Sequence, residues 1–379
     1  MSIPTSIQMV DLQSQHKKIQ RELNSCIQKV VDSGAYINGP EVGRFADSLS
    51  LYLGSKYVIP CANGTDALQI ALMSLDLKPG DEVITPTFTY VATAEVISLL
   101  GLKAVLVDVD PDYFGLNIEQ VKTAITPRTK VIIPVHLFGQ SANLEPLMNL
   151  AADHKINIIE DAAQSMGASY RFLNGNEKKL GTIGRIGCTS FFPSKNLGCL
   201  GDGGAIITND DFLAERIKMV ANHGQKIKYH HDIIGCNSRL DTIQAAILNL
   251  KLVHLDNYNK SRQQAAKFYD KHLASLKSLR IPMRRKESTH VFHQYTLRIL
   301  DGSRDQLIQF LKEHKIPSMV YYPLPLHFQK AFKNLEHSGM SFPIAEALAN
   351  QVISLPMHSE LEEKTQVYII DKIKEFYGD

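Results

Sequence analysis

The strongest constraint on the fold is a stretch in which short apolar strands and amphipathic helices alternate. Strand Glu82-Val-Ile-Thr85 precedes a helical pattern near Val91 to Leu100, stopped by Gly101. Strand Lys103 to Val107 precedes a helix near Ile118 to Ile125, and strand Lys130 to Val135 a helix near Leu144 to His154. Strand Ile156 to Glu160 then runs into Asp161. Strands joined through helices by short loops form right-handed βαβ units and run parallel. The fold class expected is therefore α/β, a mostly parallel central sheet flanked by helices. In such sheets a ligand sits beyond the carboxyl ends of the strands.

The flanks extend this reading. Asp11 to Val31 reads as one amphipathic helix and Glu41 to Leu53 as a second, stopped by Gly54. Cys61-Ala-Asn-Gly64-Thr65-Asp66 opens a third, Ala67 to Leu75. Asn174-Gly175, within Tyr170 to Thr182, marks a hairpin turn. Asp210 to Val220 is helical, and from Asp241 a single long helix is expected to run past Tyr258. Val291 to Leu300, Arg304 to Glu313 and helices from about Ser341 form a smaller α+β unit. The expected division is a large α/β domain, 1–250, and a small C-terminal domain, 251–379, with the N-terminal helix available to pack on the latter.

Composition narrows the function classes. The 379 residues carry a formal charge of +2, which gives no field for nucleic acid or a membrane surface. Met1 to Ser6 has no basic segment followed by an apolar core, so no signal peptide is expected. Ala94 to Val107 is broken by Gly101 and Lys103 and is too short to span a bilayer. Five cysteines without a CxxC pair fit reduced thiols and a cytoplasmic setting.

Chemistry concentrates in Cys188 to Ile207. The stretch reads as a strand from Cys188 to Phe192, a break at Pro193, Lys195, a glycine-rich loop and a second strand from Ala205. Lys195 is the only lysine between Lys179 and Lys218. An amine held there suits Schiff-base chemistry, which needs a lowered pKa. A lysine is ordinarily a surface residue, but Thr189-Ser-Phe-Phe is too apolar for an exposed loop. Gly198, Gly201, Gly203 and Gly204 let backbone approach a ligand closely.

Other strand ends converge on the same region, and each has a plainer alternative. Gly64 and Thr65 at a helix start offer an anion site, or else Thr65 or Asp66 is an ordinary cap. Phe88, after a strand, can stack on a flat ring or be a core aromatic. Asp161 can pair with a ring nitrogen, with Gln164 on a ring hydroxyl, or cap a following helix. Ser190 can hold a phosphate or bond backbone. A lysine, a strand-end carboxylate, an aromatic and an anion site are together what pyridoxal phosphate requires. No metal site is expected.

Seven runs carry a family resemblance: Ala62-Asn-Gly-Thr-Asp-Ala-Leu68, Thr85-Pro-Thr-Phe-Thr-Tyr-Val-Ala-Thr93, Ile159-Glu-Asp-Ala-Ala-Gln-Ser165, Ser190-Phe-Phe-Pro-Ser-Lys195, Gly201-Asp-Gly-Gly-Ala205, Asn237-Ser-Arg-Leu-Asp-Thr-Ile-Gln-Ala-Ala246 and Tyr322-Pro-Leu-Pro-Leu-His327. In order and extent they resemble the DegT/DnrJ/EryC1/StrS sugar-nucleotide aminotransferases, pyridoxal phosphate enzymes of fold type I. The resemblance implies that Lys195 bonds the cofactor and shuttles the proton. It implies Asp161 on the pyridine nitrogen, Gln164 on the ring hydroxyl and Phe88 stacked on the ring. Gly64, Thr65 and Ser190 would bind the phosphate. Asn237 would reach into the partner's site in an obligate homodimer, and Arg239, Tyr322 and His327 would come from the partner to face the sugar nucleotide. It further implies L-glutamate as donor and a nucleotide-linked keto-sugar as acceptor.

The run from Lys228 to Asp241, with Cys61 to Ile70, looks most like enzymes acting on UDP-2-acetamido-2-deoxy-3-keto-hexuluronic acid, which supply 3-amino sugars for surface polysaccharide such as lipopolysaccharide. Arg239, His230 and His231 suit a sugar carboxylate or diphosphate, although the two histidines also read as a solvated loop. Relatives acting on dTDP-3-keto-6-deoxy or UDP-4-keto sugars share most of these motifs. Three other classes have weaker hooks. Asp108-Val-Asp110 has the spacing of a metal-dependent glycosyltransferase. The glycines of 198–204 lack the order of a dinucleotide-binding loop. A regulatory role is set against an intact Lys195 and Asp161.

Overall fold

The computed structural model describes residues 7–332 and 340–378. The N-terminal segment read above for a targeting signal, Met1 to Ser6, lies outside them.

The first expected helix is two. α1 (Leu12–Lys18) is capped by Asp11, whose carboxylate accepts the Ser14 N–H, and it ends at Ile19 (φ −119°), where α2 (Gln20–Ser33) begins. The polar run Gln15-His-Lys-Lys18 does not hold one continuous apolar stripe across that point. Gly34 in the left-handed region stops α2, and α3 (Pro40–Leu53) follows. β1 (Tyr57–Cys61) leads into α4 (Gly64–Met73). The alternation then proceeds as read: β2 (Glu82–Pro86), α5 (Ala92–Leu99), β3 (Lys103–Val107), α6 (Ile118–Ala124), β4 (Thr129–Ile132), α7 (Leu144–His154) and β5 (Asn157–Asp161). A hairpin, β6 (Ser169–Arg171) and β7 (Glu177–Lys179), turns at Asn174-Gly175. β8 (Ile186–Ser190) and β9 (Gly204–Thr208) flank the lysine loop, and α8 (Asp211–Ala221) follows.

These strands form one seven-stranded sheet in the order β1-β9-β8-β5-β4-β2-β3. Pairings are parallel except where β9 lies antiparallel between β1 and β8. Alternate side chains go to opposite faces. Val83 joins a cluster with Ala67, Ile70 and Ile97, while its neighbour Ile84 joins one with Val107, Leu147 and Ile158. Each such buried aliphatic contributes about 1.5–3 kcal/mol, and together they fix the register that brings the carboxyl ends to one edge.

A short exposed hairpin, β10 (Gln225–Ile227) and β11 (His230–His231), precedes α9 (Thr242–Leu252) and α10 (Leu255–Leu273). The long helix expected from Asp241 is thus interrupted at Val253-His254. α9 buries nearly all of its face in the sheet core, whereas α10 is strongly polar on one side. The change of partner coincides with the break. β12 (Leu279–Arg280), β13 (Tyr295–Ile299), α11 (Arg304–Glu313), α12 (Pro343–Gln351), β14 (Val352–Leu355) and α13 (Glu363–Tyr377) complete the chain. The three strands pair antiparallel, and Tyr269, Tyr295, Leu307 and Ile369 lie in their core. The N-terminal region packs here: Met357 N–H donates to Met9 O, and Gln15 donates to Ser359.

Candidate active site

The carboxyl ends of β1, β5 and β8 meet at the start of β9. In register, Gly204 faces Cys61 on one side and Ser190 on the other. α4 starts there, capped by Asn63, whose Oδ1 accepts the Asp66 N–H at 2.8 Å. The cap is therefore neither Thr65 nor Asp66, because the residue whose side chain folds back precedes them. The N–H groups of Gly64 and Thr65 point out of the first turn, where a helix attracts anions. A Cβ on Gly64 would stand 2.7 Å from that of Ser190. Glycine alone admits this approach, and it brings the Ser190 hydroxyl beside the helix start.

Lys195 lies in the β8–β9 loop with its N–H donating to Phe192 O at 2.8 Å. The residue keeps some exposed surface, but its amine is desolvated. Burial pulls its pKa down to about 8, against the opposing pull of Asp161. Among the described residues the amine has no hydrogen-bond partner. The glycines around it mainly serve the loop itself. A Cβ on Gly198 would meet Pro193 O at 2.3 Å, and one on Gly204 would meet Asn63 O at 2.4 Å. At these two positions the close approach is to protein backbone.

Asp161 ends β5 and is 7% exposed. No helix begins there, so the capping alternative fails. Its Oδ2 accepts the Thr93 hydroxyl at 2.8 Å and its Oδ1 the Ala163 N–H at 3.2 Å. Gln164 Oε1 accepts the Phe138 N–H at 2.8 Å, which fixes the amide so that Nε2 is the donor. Nε2 reaches Tyr322 Oη at 3.1 Å. Beneath them Glu160 is fully buried and accepts from His136 Nε2 and from the N–H groups of Gly181, Ile183 and Gly184. His136 Nδ1 takes the Ala142 N–H, so Nε2 carries the proton.

Tyr322 and His327, both expected from a partner, are each bonded to a residue of their own chain. Tyr322 is tied to Gln164, and burial raises its phenol pKa. The His327 side chain is 2% exposed and is paired with Thr87 Oγ1 at 2.8 Å and with Glu346. Phe88 is wholly buried, with Phe114 stacked at 6.2 Å and the edge of Tyr322 at 6.2 Å, so it is a core ring with no open face. Asn237, His230 and His231 are exposed and Arg239 half-exposed. They are not gathered round Lys195 by any contact of this chain. His231 Nδ1 instead contacts His223 O at 2.8 Å. Asn237 does sit beside the helix start, since its neighbour Ser238 accepts the Ala62 N–H.

Three elements were not legible as site residues: Thr93, the His136–Glu160 pair, and His293. Burial, then Lys195 and Arg262, hold the His293 imidazole well below its ordinary pKa. The metal reading of Asp108 and Asp110 fails. Asp108 accepts the Ile344 and Ala345 N–H groups at the start of α12, and Asp110 those of Asp112 and Tyr113. Among the described residues no acidic, histidine or cysteine cluster suited to a metal occurs, and no helix is long and apolar enough to cross a membrane.

A desolvated, unpartnered amine, a fixed carboxylate beside it and a helix start open to an anion fit one cofactor, pyridoxal phosphate. On a sheet of this topology they define the pyridoxal phosphate-dependent transferases of fold type I. The chain belongs to the DegT/DnrJ/EryC1/StrS aminotransferase family, whose model matches residues 17–374. It is 47% identical, over 94% of this chain and 96% of the relative, to the UDP-2-acetamido-2-deoxy-3-oxo-D-glucuronate aminotransferase of Pseudomonas aeruginosa. It is 44% identical, over 98% and 99%, to a Geobacillus stearothermophilus protein named pleiotropic regulatory protein. The crystal structure of S. venezuelae DesV superposes with a TM-score of 0.94 at 38% identity, covering 98% of this chain and 99% of that one.

Proposed function

We propose that this protein transfers the amino group of L-glutamate to UDP-2-acetamido-2-deoxy-3-keto-D-glucuronic acid, giving the 3-amino sugar, as a cytoplasmic homodimer. The observation that carries the reaction class is the Lys195 amine, desolvated and beside Asp161. The acceptor rests on the 47% identity to an enzyme named for that sugar.

Bound pyridoxal phosphate supplies an aldehyde for amines and an electron-poor ring that stores the charge left when a proton is removed. The residues do the rest. Lys195 would hold the cofactor and, when its amine is free, would take the α-proton at Nζ and deliver it to the cofactor's former aldehyde carbon, two atoms along. A pKa near 8 leaves a usable fraction of the amine neutral at working pH. Asp161 accepts from the ring N–H, and Gln164 donates its remaining N–H to the ring oxygen. Gly64, Thr65 and Ser190 bind the phosphate with two N–H groups and a hydroxyl. Asn237, His230 and His231 are exposed and so available to a second subunit, and the half-exposed Arg239 suits a diphosphate or carboxylate.

Product analysis tests the reading. Glutamate and the UDP 3-keto uronate should yield the amino sugar and 2-oxoglutarate in equal amounts, and Lys195→Ala should yield neither. Amination of only 4-keto or 6-deoxy sugars would displace the substrate. Full activity in Lys195→Ala would remove the lysine from the chemistry.

A further inference from the structure

Thr93 is the second residue of α5 and has no exposed surface. A threonine in a helix commonly returns its hydroxyl proton to the carbonyl one turn back. Here the proton goes to Asp161 Oδ2 at 2.8 Å, a residue 68 positions away. Threonine is stiff about χ1, so a helix packed on the sheet aims this donor in a fixed direction. The Ala163 N–H takes Oδ1 from the other side at 3.2 Å. The two donors leave each oxygen a free lone pair and hold the carboxylate plane still.

We propose that Thr93 is a positioning residue that orients the Asp161 carboxylate toward the cofactor's ring N–H. The inference rests on the pyridoxal phosphate reading above. It assigns Thr93 no contact with the cofactor. Its effect passes entirely through the ring nitrogen.

That route gives a test that a merely structural role would not pass. Cofactor-free wild type, Thr93→Val and Thr93→Ser are titrated, by visible absorbance, with pyridoxal phosphate and with its 1-deaza analogue, in which carbon replaces the ring nitrogen. Valine matches the shape and lacks the hydroxyl, while serine keeps it. A hydrogen bond to a charged group is worth enough to change affinity by about ten-fold. Thr93→Val should therefore bind pyridoxal phosphate about ten-fold more weakly and bind the deaza analogue as wild type does. Thr93→Ser should resemble wild type with both. Equal weakening toward both cofactors in Thr93→Val, or none toward either, would overturn the inference while leaving the proposed function intact. A wild-type protein that binds neither would overturn the proposed function and this inference with it.

Discussion

Tyr322 and Gln164 are joined within one chain: the amide Nε2 donates to the phenol oxygen at 3.1 Å, across 158 residues. Tyr322 is therefore proposed to serve the site that holds its own Lys195, and the exposed Asn237 to serve the partner's.

Mixed dimers separate the two cases. Pairing Lys195→Ala subunits with Asn237→Ala subunits should restore activity, because one of the two sites then has both residues intact. Pairing Lys195→Ala with Tyr322→Phe should not, because every site then carries a lesion. Restored turnover in the second pairing would place Tyr322 across the interface.

Asp161→Asn keeps the shape and loses the charge. Removing a preorganised electrostatic partner of a developing charge typically costs about 100-fold or more in rate. The variant should lose at least that in kcat with its far-ultraviolet spectrum unchanged. Near-wild-type kcat would mean Asp161 does not hold the ring nitrogen.

Gly64→Ala places a methyl 2.7 Å from the Ser190 Cβ. Overpacking of this kind costs about 1–3 kcal/mol, here at the site proposed for the phosphate. Cofactor affinity should fall by roughly ten-fold, and free phosphate should compete less well in the variant. Unchanged affinity would move the phosphate elsewhere.

Burial lowers Lys195 from its ordinary 10.5 to about 8. Between those values the unfolded chain binds the proton and the folded, cofactor-free protein does not. Stability contributed through this group therefore rises with pH across that window and is lowest below about 8. Lys251 is shifted the same way by burial, also to about 8, so the measurement is a difference. Cofactor-free wild type should gain more on urea than Lys195→Met between pH 8 and 10. Parallel curves would mean the amine is not desolvated.

Glu160→Gln puts an amide against three backbone N–H donors and the His136 proton. The loss should be about 3 kcal/mol, read from the urea midpoint. Glu160 is a tether for the 181–184 loop, so the cost should appear in stability before it appears in KM.

What the sequence makes legible follows from what is local. The βαβ alternation, the strand-end position of Asp161 and the loop carrying Lys195 depend on periodicity and on neighbours a few residues away. Thr93 on Asp161, His136 on Glu160 and Tyr322 on Gln164 join residues 68, 24 and 158 apart. No periodicity encodes them. The surroundings of His327 are hidden for a related reason: a histidine after a proline-rich run looks available, but Thr87 and Glu346 pair with it. The breaks at Ile19 and Val253-His254 occur where a helix changes packing partner, which an apolar stripe alone does not reveal.

The central claim is that Lys195 is the amine of a transaminating pyridoxal phosphate site. Its most direct test is the visible spectrum of the purified protein with cofactor, followed through glutamate and then the UDP 3-keto uronate. The account predicts a band that glutamate bleaches and the keto-sugar restores, and that Lys195→Ala never forms. A wild-type protein that shows no band with added cofactor, or a band that glutamate leaves unchanged, would contradict it.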